Sequence, residues 1–387
     1  ASRNREIEAL EKEIAGYQKE LTTVGGQAQT LENTLKSLDL SRKKLTAEIS
    51  STEKKIARAT EAISSLGTDI EDKERRMGTV RLGLAEGLRE LAQSGDLNQL
   101  ETLLLYRSMS EYLDISFTLA SAREAFEDKT TELSTIKSGL ETDKAEEEKN
   151  KRELTAYQRD LSDQRKLLDQ NRKETDALLK ATKQKESEYK KIVAEKQKKR
   201  DAFAAELLQY ESQLRLIIDP SSYPQARRGI LVPPLDIIVF TQYFGDTDFA
   251  RAGGYSGKGH NGVDFRATTG TTVKAALSGV VKGTGDTDFV CPGASYGKWV
   301  LIEHDNGLTT LYAHLSLIRV TTGQNVGTSE VIGYSGSTGY ATGPHLHFSV
   351  FASQGVRIQT LKSRVCSGTY TLPVADLKAY LNPVSYL

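Results

Sequence analysis

The sequence predicts a multi-domain protein in which a long antiparallel α-helical coiled-coil hairpin precedes a compact antiparallel all-β domain. Every proline, histidine and cysteine lies at Pro220 or later, whereas the earlier residues are rich in charge. Apolar residues recur at seven-residue spacing in the first part, and short β-branched runs alternate with glycine-containing turns in the second. These observations divide the chain into a hairpin over residues 1–215, a linker over 216–236 and a β domain over 237–387.

Bulk charge does not indicate a nucleic acid or an anionic membrane as partner. The chain has 52 Lys and Arg residues against 52 Asp and Glu residues, so its formal net charge is zero. It also contains no apolar stretch of the ~18 residues that a membrane-spanning helix needs.

The first helix of the hairpin is predicted from a sustained seven-residue repeat, which is typical of a left-handed coiled coil. The residues at every seventh position from Ile7 form the first seam of this helix, the stripe along which it would pack on its partner. Every one of them except Arg42 is apolar. That seam contains Ile7, Ile14, Leu21, Ala28, Leu35, Arg42, Ile49, Ile56, Ile63, Ile70, Met77, Leu84 and Leu91. Gly25-Gly26 is expected to bend this helix without ending it.

The repeat stops at Ser94-Gly95-Asp96, and Leu97–Leu119 is too apolar for one face of a solvated rod. We therefore predict a small tip of two short helices near residues 92–120. The spacing resumes in a return helix, and an antiparallel pair within one chain fits the short connection. A parallel homodimer is the alternative.

Residues 217–234 contain four prolines and end the helical pattern. This linker or regulatory segment is interpreted as a tether, and the alternative is that it folds over the groove of the β domain.

The β domain is predicted from short runs that are bounded by turns. The candidate strands are Thr272–Ala276, Gly279–Lys282, Trp299–His304, Leu308–His314, Glu330–Tyr334 and His345–Phe351. Asp305-Asn306-Gly307 is read as a hairpin turn, since Asn-Gly tolerates the left-handed backbone that such turns require. A short helix is expected only at Val374–Tyr380.

Two histidines stand one residue apart in Gly343-Pro344-His345-Leu346-His347-Phe348, which reads as a strand entered from a glycine-containing loop. Side chains at i and i+2 share one face of a strand, so His345 and His347 point into the same space. The chain contains only five histidines, so this pairing is informative.

Two further motifs supply partners for this pair. His260-Asn261-Gly262-Val263-Asp264 places a histidine and a carboxylate four residues apart in extended chain, and Tyr312-Ala313-His314 closes another strand. His304 lies at a strand end and is interpreted as structural.

Catalytic zinc commonly takes three protein ligands and leaves one position for water. His260, Asp264 and His347 would supply those ligands, which leaves His345 and His314 for proton transfer and oxyanion stabilisation. An exchange of roles between His345 and His347 is equally compatible with the spacing.

These motifs, together with Gly336-Ser337-Thr338-Gly339, resemble those of the lysostaphin/LytM family of zinc endopeptidases, and the likeness extends over Val239–Leu387. The resemblance implies a LytM-like β metallopeptidase domain that acts on the peptides of peptidoglycan. It also implies Zn²⁺ as cofactor, with the metal ligands His260, Asp264 and His347 and the catalytic histidines His314 and His345.

The sequence departs from the family pattern in three places. Ser349 stands where the family often has an acidic residue, and Asp286–Tyr296 and Gln359–Tyr380 resemble insertions. Cys291 and Cys366, one in each insertion, are compatible with a disulfide in an oxidising compartment or with two free thiols.

The helical half resembles the coiled coils of murein hydrolase activators and of division-associated cell-wall hydrolases. This likeness implies an extracytoplasmic location, in the periplasm or at the cell surface of a bacterial envelope. It also implies that a membrane complex similar to an ABC transporter binds the coiled coil or its tip. The apolar tip residues are Leu103, Leu104, Leu113 and Phe117.

The sequence therefore favours a zinc endopeptidase of peptidoglycan whose coiled coil positions or gates it, in cell division or wall remodelling. One alternative is a non-enzymatic activator of a peptidoglycan amidase, whose peptidase-like domain would be inactive. A second is a periplasmic adaptor, which predicts nothing about the histidines.

Overall fold

A computed structural model describes residues 2–25, 30–93, 109–214, 216–247, 251, 259–341 and 343–387. The chain forms two compact units. One comprises Ala1–Ile7 and Thr52–Leu161, and the other comprises Glu8–Ser51 and Ser162–Leu387. The boundaries predicted at residues 215 and 237 stay a prediction, and the compact units group the residues differently.

The described residues of the N-terminal half contain four long helices: α1 (Ser2–Gly25), α2 (Leu31–Gln93), α3 (Met109–Thr182) and α4 (Glu186–Glu211). The long helical region and the β domain that follows it confirm the predicted fold class. The expectation that Gly25-Gly26 only bends the first helix falls partly outside the described residues, since Gly26 is not among them. Of the described residues, α1 extends to Gly25 and α2 begins at Leu31, after a bend at Thr30.

Within the first unit, α2 and α3 run antiparallel as one hairpin. Lys73 Nζ lies 2.6 Å from an oxygen of Asp143, and Arg76 pairs with Glu132 at 3.9 Å. The later residue of α2 pairs with the earlier residue of α3, as antiparallel helices require. Several apolar side chains are buried along these two helices, among them Ile70, Val80, Ile136 and Leu140. Supercoiling of the pair stays a prediction.

The predicted tip is only partly described by the structure. Leu103 and Leu104 lie outside the described residues, whereas Met109 to Leu119 belong to α3 and form no separate short helix. Leu113 and Phe117 are 56% and 77% exposed, respectively.

The return helix is interrupted between α3 and α4, which the heptad pattern did not predict. Lys183 and Gln184 have φ angles of 50° and 59°, in the left-handed region that ends a helix. The N-terminus of α4 is then attached to the start of α2. Glu186 accepts the Leu31 N–H at 2.8 Å, and the hydroxyls of Thr34 and Tyr189 are 2.9 Å apart.

The β domain consists of antiparallel strands, in agreement with the prediction. Its strands are β1 (Phe240–Gln242), β2 (Val263–Arg266), β3 (Thr272–Lys274), β4 (Gly279–Asp286), β5 (Lys298–Glu303), β6 (Leu308–Ile318), β7 (Asn325–Val326), β8 (Val331–Ser335), β9 (His345–Ala352), β10 (Val356–Lys362), β11 (Thr369–Ala375) and β12 (Tyr380–Leu381). The main sheet has the order β1-β2-β9-β6-β5-β4-β7, with β8 against β6 and β3 against β8. Strand β12 pairs with β9, and β10–β11 is a separate hairpin.

The central strands have an apolar cluster on each face of the sheet. Leu346 and Phe348 of β9 belong to one cluster, and Leu311 and Ala313 of β6 belong to the other. The second cluster also contains Phe203 of α4, so this helix covers one face of the sheet.

Two expectations about the C-terminal half need correction. Val374 and Ala375 end strand β11, and only a single 3₁₀ turn follows at Leu377–Ala379, so the helix expected at Val374–Tyr380 is absent. Leu231 and Leu235 of the linker are buried in the β-domain core, so their segment is packed against that domain. Within the described helices, none combines the length and apolar character that a bilayer crossing requires.

Candidate metal centre and catalytic histidines

The sheet register brings four of the predicted site residues together. In β9, His347 pairs with Asp264 of β2 on one side and with Ala313 of β6 on the other. His314 follows Ala313 directly, and His345 lies two residues before His347 on the same face. Strand pairing therefore joins residues that are more than 80 positions apart in the chain.

His260 reaches the same place through an isolated bridge with Gly245 rather than through a strand. Gly262 makes this approach sterically feasible. A Cβ atom at position 262 would lie 2.6 Å from the carbonyl oxygen of Phe348 and 2.8 Å from the His347 ring. A side chain there would push the His260 segment away from β9.

Three ligand atoms of His260, Asp264 and His347 form a small triangle. His260 Nε2 lies 3.1 Å from His347 Nδ1 and 3.3 Å from Asp264 Oδ1, and His347 Nδ1 lies 3.0 Å from the same oxygen. Ligands at ~2.0–2.1 Å from a tetrahedral metal are ~3.3 Å apart, so the triangle has the size that such an ion requires.

The hydrogen-bond partners of these residues also favour a cation. His260 Nδ1 lies 3.1 Å from the Tyr243 carbonyl oxygen, which only accepts, so in the neutral ring Nδ1 carries the hydrogen and Nε2 presents a lone pair. That lone pair faces the carboxylate of Asp264. His347 Nε2 is 2.8 Å from Ser349 Oγ, which orients the ring as the outer hydrogen bond of a metal-bound imidazole does. The residues present therefore fit a metal ion.

His345 and His314 stand beside the triangle with their rings close together. The ring centroids are 4.6 Å apart, and His345 Nε2 is 3.7 Å from Asp264 Oδ1. His345 Nδ1 donates to the Gly343 carbonyl, and His314 Nδ1 donates to the Thr338 carbonyl, each at 2.8 Å. In each neutral ring the lone pair then lies on Nε2. All five predicted site residues are thus brought together, and the roles of individual residues stay predictions.

Burial controls the charges at this site. Burial favours the neutral form of Asp264, but the imidazoles of His260 and His345 outweigh it and hold the pKa of the carboxyl well below its usual range. Burial also lowers the pKa of His347, and burial with the charges of His345 and His347 lowers the pKa of His314 well below its ordinary value. His314 is therefore a neutral imidazole near pH 7.

His304, which the sequence placed outside the site, is held elsewhere in the domain. Its Nδ1 donates to the Ser278 carbonyl at 2.9 Å, and its Nε2 lies 2.8 Å from Thr310 Oγ1. Burial lowers the pKa of His304.

A cavity of about 280 Å³ opens onto the site, and the C-terminal end of α4 forms one of its walls. The histidine side contributes His260, His314, His345 and His347 along with Asp264. The helix side contributes Phe203, Ala204, Leu207, Leu208 and Glu211. Phe203, Leu207 and Glu211 are spaced by four residues and therefore share one helix face.

A polar network at the helix end was not predicted from the sequence. Glu211 accepts a hydrogen bond from the Tyr380 hydroxyl at 2.7 Å, and Asn261 lies 3.3 Å from the Tyr296 hydroxyl and 3.4 Å from that of Tyr380. Phe203 follows the seven-residue spacing of the return helix, but that spacing does not reveal which surface the side chain meets.

Comparison of the sequence with known protein families and proteins agrees with this site. Residues 258–359 match the model of Peptidase family M23. A DD-carboxypeptidase/endopeptidase, Mpg, from Neisseria meningitidis serogroup B is 47% identical over 89 residues, which cover 23% of this chain and 19% of the relative. The peptidoglycan DD-endopeptidase ShyA of Vibrio cholerae is 39% identical over 106 residues, or 27% of this chain and 23% of the relative.

Among solved structures, the catalytic domain of the prophage-encoded M23 protein EnpA from Enterococcus faecalis has a TM-score of 0.30 at 24% identity. That match covers 40% of this chain and 96% of the other. The chain spans about a fifth of the length of the two curated relatives. Residues 258–359 of the β domain are thus similar to peptidase M23 domains, and the relatives that they resemble include enzymes named as peptidoglycan endopeptidases.

Proposed function

We propose that this protein is a zinc-dependent endopeptidase that hydrolyses peptide bonds in peptidoglycan. The observation that carries the proposal is the buried triangle of His260, Asp264 and His347 with two basic Nε2 atoms beside it. Two imidazoles and one carboxylate suit Zn²⁺, because nitrogen and oxygen ligands in tetrahedral array are typical of that ion. The names of the relatives support the substrate class.

His260, Asp264 and His347 would hold the zinc ion. When bound, zinc lowers the pKa of a water molecule towards ~7 and polarises a carbonyl group. The Nδ1–H bonds of His345 and His314 to backbone carbonyls place the lone pair of each neutral ring on Nε2. These atoms take up the proton of the attacking water, and a protonated ring then returns it to the amine leaving group.

Digestion of purified sacculi tests this function. The zinc-loaded full chain should release peptide fragments that mass spectrometry identifies by the bond that was cut. His347→Ala should lose zinc and turnover together, whereas His345→Ala should keep zinc and lose turnover. His304→Gln is the matched control and should keep both. If the wild-type protein with one equivalent of zinc releases no peptides, the proposal fails. Stimulation of an amidase by His347→Ala would favour the activator alternative.

We place this activity outside the cytoplasm of a bacterium, where peptidoglycan lies. The bonded pair Cys291–Cys366 supports that location, since disulfides persist in oxidising compartments. Alkylation of thiols in intact cells, before and after reduction, measures this pairing. Free thiols on the mature protein would contradict the location.

A role in division, with a membrane complex similar to an ABC transporter bound at the tip, also remains a proposal. Leu113 and Phe117 are exposed apolar residues near the predicted tip. Pull-down of such a complex by the full chain should weaken for Phe117→Glu. It should not weaken for the control Leu82→Glu, which changes an exposed leucine of α2 outside the predicted tip. Equal capture by both variants would exclude the tip as the binding surface.

A further inference from the structure

One peptide group connects His314 to an acidic side chain that the predicted site does not include. The carbonyl oxygen of the Thr338–Gly339 peptide accepts the His314 Nδ1–H at 2.8 Å. The N–H of the same peptide donates to Asp288 Oδ2 at 2.6 Å. The carboxylate and the imidazole therefore bind opposite ends of one planar amide.

Asp288 comes from the insertion between β4 and β5 and is fixed there on both sides. Its backbone N–H donates to Asp286 Oδ1 at 3.0 Å, and its Oδ1 accepts the Gly293 N–H at 2.6 Å. Cys291, three residues further on, is fully buried and is bonded to Cys366 of the β10–β11 hairpin. The position of the carboxylate is thus set by the folded insertion.

The loop that carries this amide is also held closely. Gly297 and Gly339 have φ angles of 60° and 62°, and a Cβ atom on Gly339 would lie 2.2 Å from the Gly297 nitrogen. Thr338 Oγ1 accepts the Lys298 N–H at 3.0 Å and donates to the Leu315 carbonyl at 2.8 Å. The peptide therefore has little freedom to turn away from His314.

Hydrogen bonds in such a chain strengthen one another. A carboxylate is a strong acceptor of an N–H, and it polarises the amide so that the carbonyl oxygen at the other end becomes a better acceptor. A better acceptor for Nδ1–H favours the tautomer in which Nδ1 carries the hydrogen and Nε2 carries the lone pair.

We infer that Asp288 is a positioning residue for His314, which acts through the Thr338–Gly339 peptide to hold the imidazole in its Nε2-basic tautomer and orientation. This inference rests on the proposed function, since it gives His314 a task in the proton transfers of peptide hydrolysis. Asp288 itself is not among the residues that line the cavity at the histidines.

Nitrogen NMR of the metal-free protein with ¹⁵N-labelled histidine tests the tautomer without any activity. Wild-type His314 should show a protonated Nδ1 and an unprotonated Nε2, assigned by loss of the signals in His314→Gln. Asp288→Ala should move the His314 signals towards the averaged values of mixed tautomers. Asp288→Asn, which keeps one accepting oxygen without the charge, should give an intermediate position.

Kinetics of the zinc-loaded protein provide the second readout. Asp288→Ala should lower kcat by about tenfold or more, the usual size of an effect that acts through a supporting hydrogen bond. The zinc content should be unchanged and KM should stay within about twofold, because the ligands and the cavity are untouched. Asp288→Asn should recover part of the loss.

Glu330→Gln is the matched control, since Glu330 also fixes a loop glycine, accepting the Gly327 N–H at 2.8 Å, but far from the histidines. It should leave the His314 signals and kcat at wild-type values. Unchanged His314 signals in Asp288→Ala overturn the inference, and so does a loss of kcat that follows only from lost zinc or lower thermal stability. If wild-type protein cuts no peptides, the proposed function fails, while the NMR result still decides whether Asp288 orients His314.

Discussion

Ser349 shows how one residue of the site gains a meaning that only the structure supplies. The sequence marked it as a departure from an acidic residue, without a consequence. Its hydroxyl lies 2.8 Å from His347 Nε2 and is fully buried, so it is the hydrogen-bond partner that fixes the orientation of this ring.

We predict that Ser349→Ala lowers the affinity for zinc by about tenfold, the lower end of the effect of outer hydrogen bonds on metal sites. The change leaves the His347 ring free to rotate and its Nε2–H without a partner. Competition with a zinc chelator measures the affinity. Ser353→Ala is the control, since Ser353 follows the end of β9, and it should leave the affinity unchanged. An unaltered affinity in Ser349→Ala would show that the ring is fixed by packing alone.

At the scale of single residues, the five site residues were predictable because each belongs to a short motif. Of the chain's five histidines, only His304 lies outside these motifs. Asp288 and Ser349 were not, since each acts through a contact that depends on strand register or loop packing. The choice between His345 and His347 as ligand also needed more than spacing. In the structure His347 is the one whose Nδ1 completes the triangle.

Helix α4 is the element with the most direct consequence for the site. Phe203 is 2% exposed and belongs to the same apolar cluster as Tyr296, which borders the cavity beside His347. Its helix lines the cavity that opens onto the histidines.

We predict that Phe203→Ser raises the rate of sacculus digestion several-fold, because removal of this buried ring weakens the attachment of α4 at the cavity. The rate of peptide release under equal zinc loading is the measurement. Gln209→Ala, on the exposed face of the same helix, should digest at the wild-type rate. A slower Phe203→Ser protein with full zinc content would mean that α4 supports the substrate rather than covering the site.

Glu211 makes the attachment of α4 dependent on pH. Burial raises the pKa of Glu211 to about 7, against hydrogen bonds from Tyr380 and Ala375 that favour the ionised form. The folded protein therefore holds a proton that the unfolded chain has already released above its ordinary pKa. The contribution of this group to stability is present below that ordinary pKa and is lost as pH rises towards 7.

We predict that, between pH 5 and pH 8, the wild-type protein loses about 3 kcal/mol of stability relative to Glu211→Gln, as an upper estimate from the raised pKa. Denaturant unfolding of both proteins across this range gives the difference. Gln209→Ala should follow the wild-type pH dependence. Parallel curves for wild type and Glu211→Gln would show that Glu211 is ionised throughout.

Helices and strands were predicted well where the spacing of apolar residues in the local sequence is enough to determine them. The strands around His345 and Leu308 alternate in a way that only a sheet satisfies, and Asn306-Gly307 gives the expected hairpin turn, with Gly307 at φ 80°. The break between α3 and α4 was not predicted, because no proline or glycine marks it. Contacts of Glu186 and Tyr189 with the start of α2, over 150 residues away in sequence, accompany that break.

At the scale of the whole molecule, the composition boundary near Pro220 does not coincide with the compact units. Leu45 of α2 and Leu167 of α3 are 2% and 1% exposed and form one cluster with Tyr334 of β8. Arg319 after β6 lies 3.6 Å from Asp163 of α3. Helix ends and β domain therefore share buried surface that a division by composition cannot reveal.

We predict that Leu167→Ala lowers the free energy of unfolding of the β domain by about 2–4 kcal/mol, the usual cost of a leucine truncated in a packed cluster. Trp299, the chain's only tryptophan, is 1% exposed inside that domain, so its fluorescence reports the unfolding of the β domain. If the cluster joins helix and sheet into one cooperative unit, a change made in α3 must move the midpoint seen by Trp299. Leu82→Ala, at a 73% exposed position of α2, should leave that midpoint in place. A Leu167→Ala protein whose Trp299 transition matches the wild type would show that the β domain unfolds independently of the helices packed on it.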